Sequence, residues 1–254
     1  MTGVPPCLPA ATRWHMLARM MTLQGSYNYE TMIGNGIAFA MEPALRLLPG
    51  GRGGEAYRAA LARQSRYFNA HPYLAAVAIG ALARAELALE DPERIERFRT
   101  AACGPLGSVG DRLVWAAWLP LCSLLALLAF GLGAGPLLTV AAFLTVYNAG
   151  HIALRVWGLN AGWRDGLAVA AALGAPLFRE GPTVLARIGA LVAGVAIPLV
   201  LMRAAGARPE GVLVIGAVGA AGALMLVALQ GKVQGWRAAL ALLTVAAMVA
   251  VVLR

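Results

Sequence analysis

Charge, and lysine above all, is what this chain has least of. Charged residues are 13% of its 254 residues and apolar residues 60%, where a soluble domain has roughly 25% and 45–50%. A water-bounded core does not call for that much apolar surface; a lipid surrounding does. Only one of the 21 basic residues is lysine, Lys232, and against 12 acidic residues the net charge is +9. No basic stretch is dense enough to track phosphates, which argues against a nucleic-acid partner. Cysteine is equally sparse: Cys7, Cys103 and Cys122 have neither metal-ligand nor redox spacing, so they read as bystanders. His15 and His151 stand alone and read as structural, and no cofactor or metal is expected. A signal-peptide pattern is missing too, because Pro5, Pro6 and Pro9 interrupt the start and no long apolar region follows Arg13 and Arg19. Insertion is then expected to be directed by later segments.

What the chain does have is long uncharged runs. Residues 113–154 contain no charged side chain, and 42 residues exceed the ~20 one helix needs to cross a bilayer, so two spans can meet at the glycine-rich stretch 131–136. Candidate spans are roughly 114–130, 135–153, 186–202, 211–229 and 237–253, and the uncharged stretch 166–178 is too short to cross unaided. A loop over 155–187 then carries Arg155, Arg164, Arg179 and Arg187 on the same side as the N-terminal region, as the positive-inside rule asks. Gly211–Gly231 offers small residues for close helix packing.

The first 112 residues hold 12 of the 20 arginines and 9 of the acids, so two regions are expected, 1–112 and 113–254. Residues 12–23 read as an amphipathic helix and 31–48 as a helix ending at the turn 49–51. Residues 54–66 read as a helix at the headgroup surface, with Arg58, Arg63 and Arg66 snorkelling. Pro72 breaks 67–83 into a broken or re-entrant segment, residues 86–99 read as a charged helix, and the glycines of 104–112 as a tight turn. The fold class expected is all-α: a polytopic membrane protein with amphipathic and broken or re-entrant helices in its N-terminal half and about four to six spans in its C-terminal half.

Three polar patches interrupt this pattern: Gln24-Gly-Ser-Tyr-Asn-Tyr-Glu30, Tyr67-Phe-Asn-Ala-His-Pro72 and Gly104-Pro-Leu-Gly-Ser-Val-Gly-Asp111. Each combines glycine or proline with amide, imidazole or carboxylate groups. Sugar hydroxyls are met by paired donors and acceptors, and an aromatic face covers the apolar side of the ring. Plainer readings stand beside this one. Asn28 and Glu30 could make a helix cap and a salt link, Asn69 a cap, His71 a hydrogen-bonded core histidine, and Asp111 the cap of the next helix. Without a Lys-Ser/Thr pair or a preceding strand, the glycines do not read as a phosphate cradle.

In this order and at these separations the patches resemble the IID subunit of the mannose-fructose-sorbose family of the bacterial phosphotransferase system. The family pattern reads approximately Gln-Gly-Ser-Trp-Asn-Tyr-Glu-Arg, Phe-Phe-Asn-Thr-His/Gln-Pro and Gly-Pro-Leu-Ala-Gly-Val-Gly-Asp-Pro followed by a Trp, the place that Trp115 holds. The likeness covers about residues 17–190. It implies a multi-pass protein of the bacterial cytoplasmic (inner) membrane that joins a IIC subunit to form the pathway for a mannose-type hexose. A IIB protein, supplied by IIA, is the phosphoryl donor, so the subunit itself is not an enzyme. The resemblance further implies a trimer of IIC–IID pairs moving the sugar by an elevator-like displacement. Its site residues would be Asn28, Glu30, Asn69, His71 and Asp111 for binding or gating, supported by Gln24, Tyr27, Phe68, Pro72, Gly110 and Trp115. Glu30 would need a positive partner, one place for it being IIC.

The chain departs from the pattern at Tyr27 for Trp, Thr31 for Arg and Arg112 for Pro, and the hydrophilic loop between later spans is cut to about 203–210. These departures motivate the alternative, a degenerate, non-transporting scaffold or regulatory subunit of a phosphotransferase system.

Overall fold

A computed structural model describes residues 8–205 and the pair 216–217. Among the described residues the chain is all-helical, with two isolated β-bridges and no strand. In order come α1 (Ala10–Met20), α2 (Gly34–Leu45), α3 (Glu55–Gln64), α4 (Ala75–Leu87), α5 (Pro92–Gly110), a π-helical stretch (Asp111–Trp118) and α6 (Leu119–Gly131). Then follow α7 (Pro136–Asp165), a 3-10 segment (Gly166–Gly174), α8 (Pro176–Arg179) and α9 (Gly181–Ala205). Among the described residues three helical stretches are long and apolar enough to cross a membrane: Pro92–Gly131, Pro136–Val169 and Gly181–Arg203. The candidate spans at 211–229 and 237–253, and the glycine-rich 211–231, lie outside the described residues apart from 216–217.

The chain divides into two compact units, residues 1–122 with 144–188, and 123–143 with 189–254. At the centre of the first is α4. Over Ala75 to Ala83 alanine, glycine and branched aliphatic residues make it apolar on every side and all are buried; the exposed Arg84 and the buried Glu86 follow in its last turn. It packs on α2, α5 and the 3-10 segment. Against α7 the backbones touch: a Cβ on Gly162 would stand 2.0 Å from the Val77 carbonyl oxygen, and one on Gly80 2.3 Å from that of Leu159. Small residues at these positions allow the close approach. The break expected at Pro72 is present, since 67–74 is irregular and α4 begins at Ala75.

Two buried carboxylates organise the helices around this core. Glu42 on α2 receives Arg19 at 2.8 Å, Arg46 at 2.7 Å, Arg52 at 3.1 Å and the Tyr57 hydroxyl at 3.0 Å. Burial alone would raise its pKa, but the hydrogen bonds from Arg46, Tyr57 and Arg52 outweigh that and hold it at about 2. Glu86 on α4 takes a two-pronged bond from Arg63 at 2.9 and 2.8 Å and one from the Gln64 amide at 2.7 Å. Gln64 in turn accepts from the buried Arg99 of α5.

Several expectations are corrected here. Arg63 does not snorkel: it turns inward to Glu86, while Arg58 and Arg66 stay exposed. The charged helix starts at Pro92 rather than Glu86, because Asp91 accepts from the Glu93 and Arg94 amides at 3.3 Å and sets the N-terminus there. Residues 104–112 are not a turn but part of one helical run from Pro92 to Gly131, in which Pro105 and three glycines sit without ending the helix. Asp111 therefore caps nothing; it opens the π-helical stretch. Arg155 is not in a loop, because α7 continues to Asp165 and buries it.

In the second unit, Arg203 of α9 donates to the carbonyls of Phe130 and Ala134 and lies 4.3 Å over the Phe130 ring. A basic side chain thus serves the open carbonyl end of α6.

Candidate functional site

The first polar patch is a loop closed on itself by Asn28. Its side-chain oxygen accepts from the Glu30 amide at 3.0 Å and the Thr31 amide at 2.8 Å, while its amide nitrogen donates to the Ser26 carbonyl at 3.1 Å and to Thr31 Oγ1 at 2.9 Å. Asn35 also donates to Thr31 Oγ1, at 3.3 Å. Met32 is held at φ 52°, a left-handed value that a methionine adopts only when its surroundings impose it. The second patch runs alongside: the Phe68 amide donates to the Thr31 carbonyl and the Ile33 amide to the Phe68 carbonyl, both at 3.1 Å. Phe68 is fully buried beneath Arg99, whose guanidinium stands 5.4 Å from its ring.

The third patch meets the second through an absence of side chain. A Cβ on Gly110 would lie 2.2 Å from His71 Cβ, so the imidazole rests directly on the backbone of the helix. One residue further, the π-helical stretch re-aims the following side chains, and such insertions cluster at functional sites. Trp115 thereby faces His71 with ring centroids 4.8 Å apart, and Tyr73 at 5.8 Å.

Between these segments lies a cavity of about 550 Å³, inside the range of ~300–1,000 Å³ typical of small-molecule sites. Gln24 and Tyr27 line it from the first patch, Tyr67, Asn69, His71 and Pro72 from the second, and Gly104, Gly107, Ser108, Asp111 and then Trp115 from the third. Aromatic faces thus stand beside amide, hydroxyl, carboxylate and imidazole groups. His71 is 2% exposed; burial first, and the Arg155 charge second, push its pKa down to about 4, so it is neutral at pH 7. Its Nδ1 accepts from the Tyr73 amide at 3.2 Å, which leaves the proton on Nε2, and Nε2 has no protein partner.

Of the residues singled out from sequence, Gln24, Tyr27, Asn69, His71, Pro72, Asp111 and Trp115 come together here. Asn28 shapes the loop behind the wall, and Phe68 and Gly110 support it from below. Glu30 is exposed and off the cavity, so the ion pair expected for a buried carboxylate is not required within this chain. Sequence reasoning set Cys103 aside, yet it lines the cavity while bonding the Arg99 carbonyl at 3.3 Å. It also passed over Tyr73 and Tyr147, and gave the α7 residues His151 and Arg155 only a structural and a topological reading, since no motif contains them. Among the described residues no cluster of His, Cys, Asp or Glu could hold a metal ion.

Comparison with known proteins bears on this arrangement. The family model for the PTS system mannose/fructose/sorbose family IID component matches residues 8–203. The PTS system mannose-specific EIID component of Escherichia coli K12 is 32% identical over 200 residues, 73% of this chain and 69% of that one. The sorbose-specific EIID component of Klebsiella pneumoniae is 32% identical over 210 residues, 76% and 73% of the two chains. The fructose permease IID component of Bacillus subtilis is 32% identical over 205 residues, 74% and 72%. Among solved structures, a chain of the mannose transporter ManYZ in complex with microcin E492 is 27% identical, with a TM-score of 0.56 over 76% of this chain and 71% of that one. A second, described as a membrane protein, is 27% identical with a TM-score of 0.64 over 74% and 69%. The three polar patches, the helical fold and the extent of these matches agree, and the chain belongs to the IID components of the mannose/fructose/sorbose family of the phosphotransferase system.

Proposed function

We propose that this chain, the IID membrane subunit of a phosphotransferase-system sugar permease, pairs with a IIC subunit in the bacterial cytoplasmic membrane and that its cavity contacts the hexose. The observation that carries this reading is the meeting of all three polar patches around one volume of about 550 Å³. Asn69, Asp111 and Gln24 supply hydrogen bonds to hydroxyls, and Trp115, Tyr27 and the His71 imidazole supply ring surface. Asn28 holds the first loop in shape, and the exposed Glu30 faces outward, where a positive group of IIC would meet it. The sugar then passes to a IIB protein, charged by IIA, for phosphorylation, and this subunit contributes no catalytic group.

The pairs assemble as trimers and move by an elevator-like displacement in this reading. Three described helices suit crossing, and 211–229 and 237–253 would bring the total to five. The polar N-terminal region 1–112 would carry most of the site and 113–254 the anchor. The departures from the family pattern do not speak for a degenerate scaffold. Thr31 is bonded by Asn28 and Asn35, and Arg112 by the Ser108 carbonyl at 3.4 Å, so both substitutions are built into the local structure.

The test is sugar binding and uptake by the chain reconstituted with its IIC subunit. Asn69→Ala and Asp111→Asn are each expected to weaken apparent sugar affinity by about tenfold or more, the effect of losing a hydrogen bond to a buried ligand. Unchanged affinity in both variants would refute the assignment of the cavity.

A further inference from the structure

Behind the cavity wall stands a second layer that no motif includes. Tyr73 is its hub. Its amide bonds His71 Nδ1, and its ring meets the imidazole edge-on with centroids 5.0 Å apart. The rest of the ring is held from α7. The Tyr73 and Tyr147 hydroxyls are 2.6 Å apart, the His151 ring lies 4.8 Å from that of Tyr73, and the Arg155 guanidinium stands 4.9 Å over it. Tyr147, His151 and Arg155 are spaced four residues apart and so share one face of the helix.

Arg155 also reaches a third element. It donates to the carbonyl of Met20, the last residue of α1, four positions before the cavity residue Gln24. It is 3% exposed, and among the described residues no carboxylate lies within ion-pairing distance of it. A buried cation without a counter-charge is costly in a membrane protein, and an apolar side chain would fill the space at less cost. What the guanidinium adds is a link: one side chain grips the end of α1 and the face of Tyr73 at once.

We propose that Arg155, together with Tyr147, is a positioning device for the sugar cavity: it fixes Tyr73, and through Tyr73 the imidazole of His71, and by its bond to Met20 the loop that leads to Gln24, to the position of α7. This rests on the reading of the cavity as the sugar site. A shift of α7 would then be transmitted directly to both walls that carry the hydrogen-bonding groups.

The experiment measures sugar uptake against concentration in proteoliposomes holding the complex with IIC. Arg155→Met and Tyr147→Phe are expected to raise the half-saturating sugar concentration by about tenfold or more, as misplacement of a binding group does, in complexes that assemble in normal yield. Arg155→Lys does not restore it, because an ammonium cannot cover the ring and reach the carbonyl together. In the double variant Tyr147→Phe with His71→Gln the loss is no greater than in the more severe single one, since Tyr147 acts through Tyr73 on the same imidazole. Half-saturation unchanged in the assembled Arg155→Met and Tyr147→Phe complexes, or losses that multiply in the double variant, would overturn the proposal. Should Arg155→Met fail to assemble, Tyr147→Phe decides alone, as it removes one hydroxyl and keeps the ring. A loss in Asn69→Ala with neither α7 variant affected overturns the positioning role and leaves the cavity reading standing; silence in all of them removes both.

Discussion

Glu86 and Arg155 are both buried charges in the first unit, and they are treated in opposite ways. Glu86 is matched by Arg63 on both oxygens and by the Gln64 amide, and it ties α3 to α4. Arg155 has a carbonyl and an aromatic face but no carboxylate, and it ties α1 and the Tyr73 loop to α7. A satisfied carboxylate is costly to disturb because its partners are stranded; an unmatched cation costs little to remove and so persists for another reason. The first kind of node maintains the body of the unit, and the second sets the geometry of its cavity.

The largest effect expected follows from that contrast. Glu86→Gln leaves Arg63 without its counter-charge and should lower stability by about 3–5 kcal/mol, seen as a drop in the unfolding midpoint of the solubilised complex. Gly110→Ala comes next: a Cβ placed 2.2 Å from His71 Cβ must move the imidazole or the helix, at about 1–3 kcal/mol, with sugar affinity falling further than stability does. Asn28→Ala removes the bonds that close the first loop and should cost about 1 kcal/mol. Arg155→Met should change stability least, within about 1 kcal/mol of zero in either direction, while altering uptake.

Acid sharpens the same comparison. The His71 pKa falls from its ordinary 6.5 to about 4 on folding, so the unfolded chain binds the proton first and stability is lost as pH drops from about 6.5 through 4. The Glu42 pKa falls from 4.5 to about 2, so the stability from its arginine partners is complete above 4.5 and lost toward 2. Uptake should therefore fall through the His71 region near pH 4, where the folded chain takes up that proton, while the Glu42 hub, with a pKa of about 2, is still intact. His71→Gln should remove the upper part of that pH dependence.

Much of this was legible in the sequence because polarity inside an apolar chain is conspicuous. Gln24, Asn69, His71 and Asp111 stand out for that reason, and Pro72 marks a real break. The conformation of the third patch was not legible, since Gly104, Pro105, Gly107 and Gly110 carry turn propensities that yield when a helix is held by neighbours. Gly110 is there for the approach of His71, which only the fold reveals. Arg155 looked like a topological signal beside an apolar run, and nothing local distinguishes a flanking arginine from one buried under Tyr73. Glu30 asks for a positive partner from its motif alone, but the loop closed by Asn28 leaves it exposed.

The most direct measurement is equilibrium binding of labelled mannose to the purified complex of this chain with its IIC subunit, comparing the native protein with Asn69→Ala and with Glu55→Gln, an exposed residue away from the cavity. Affinity lower by about tenfold or more for Asn69→Ala and unchanged for Glu55→Gln is the result expected if the three polar patches form the sugar-contacting wall. Binding by the native complex that Asn69→Ala leaves intact would contradict it.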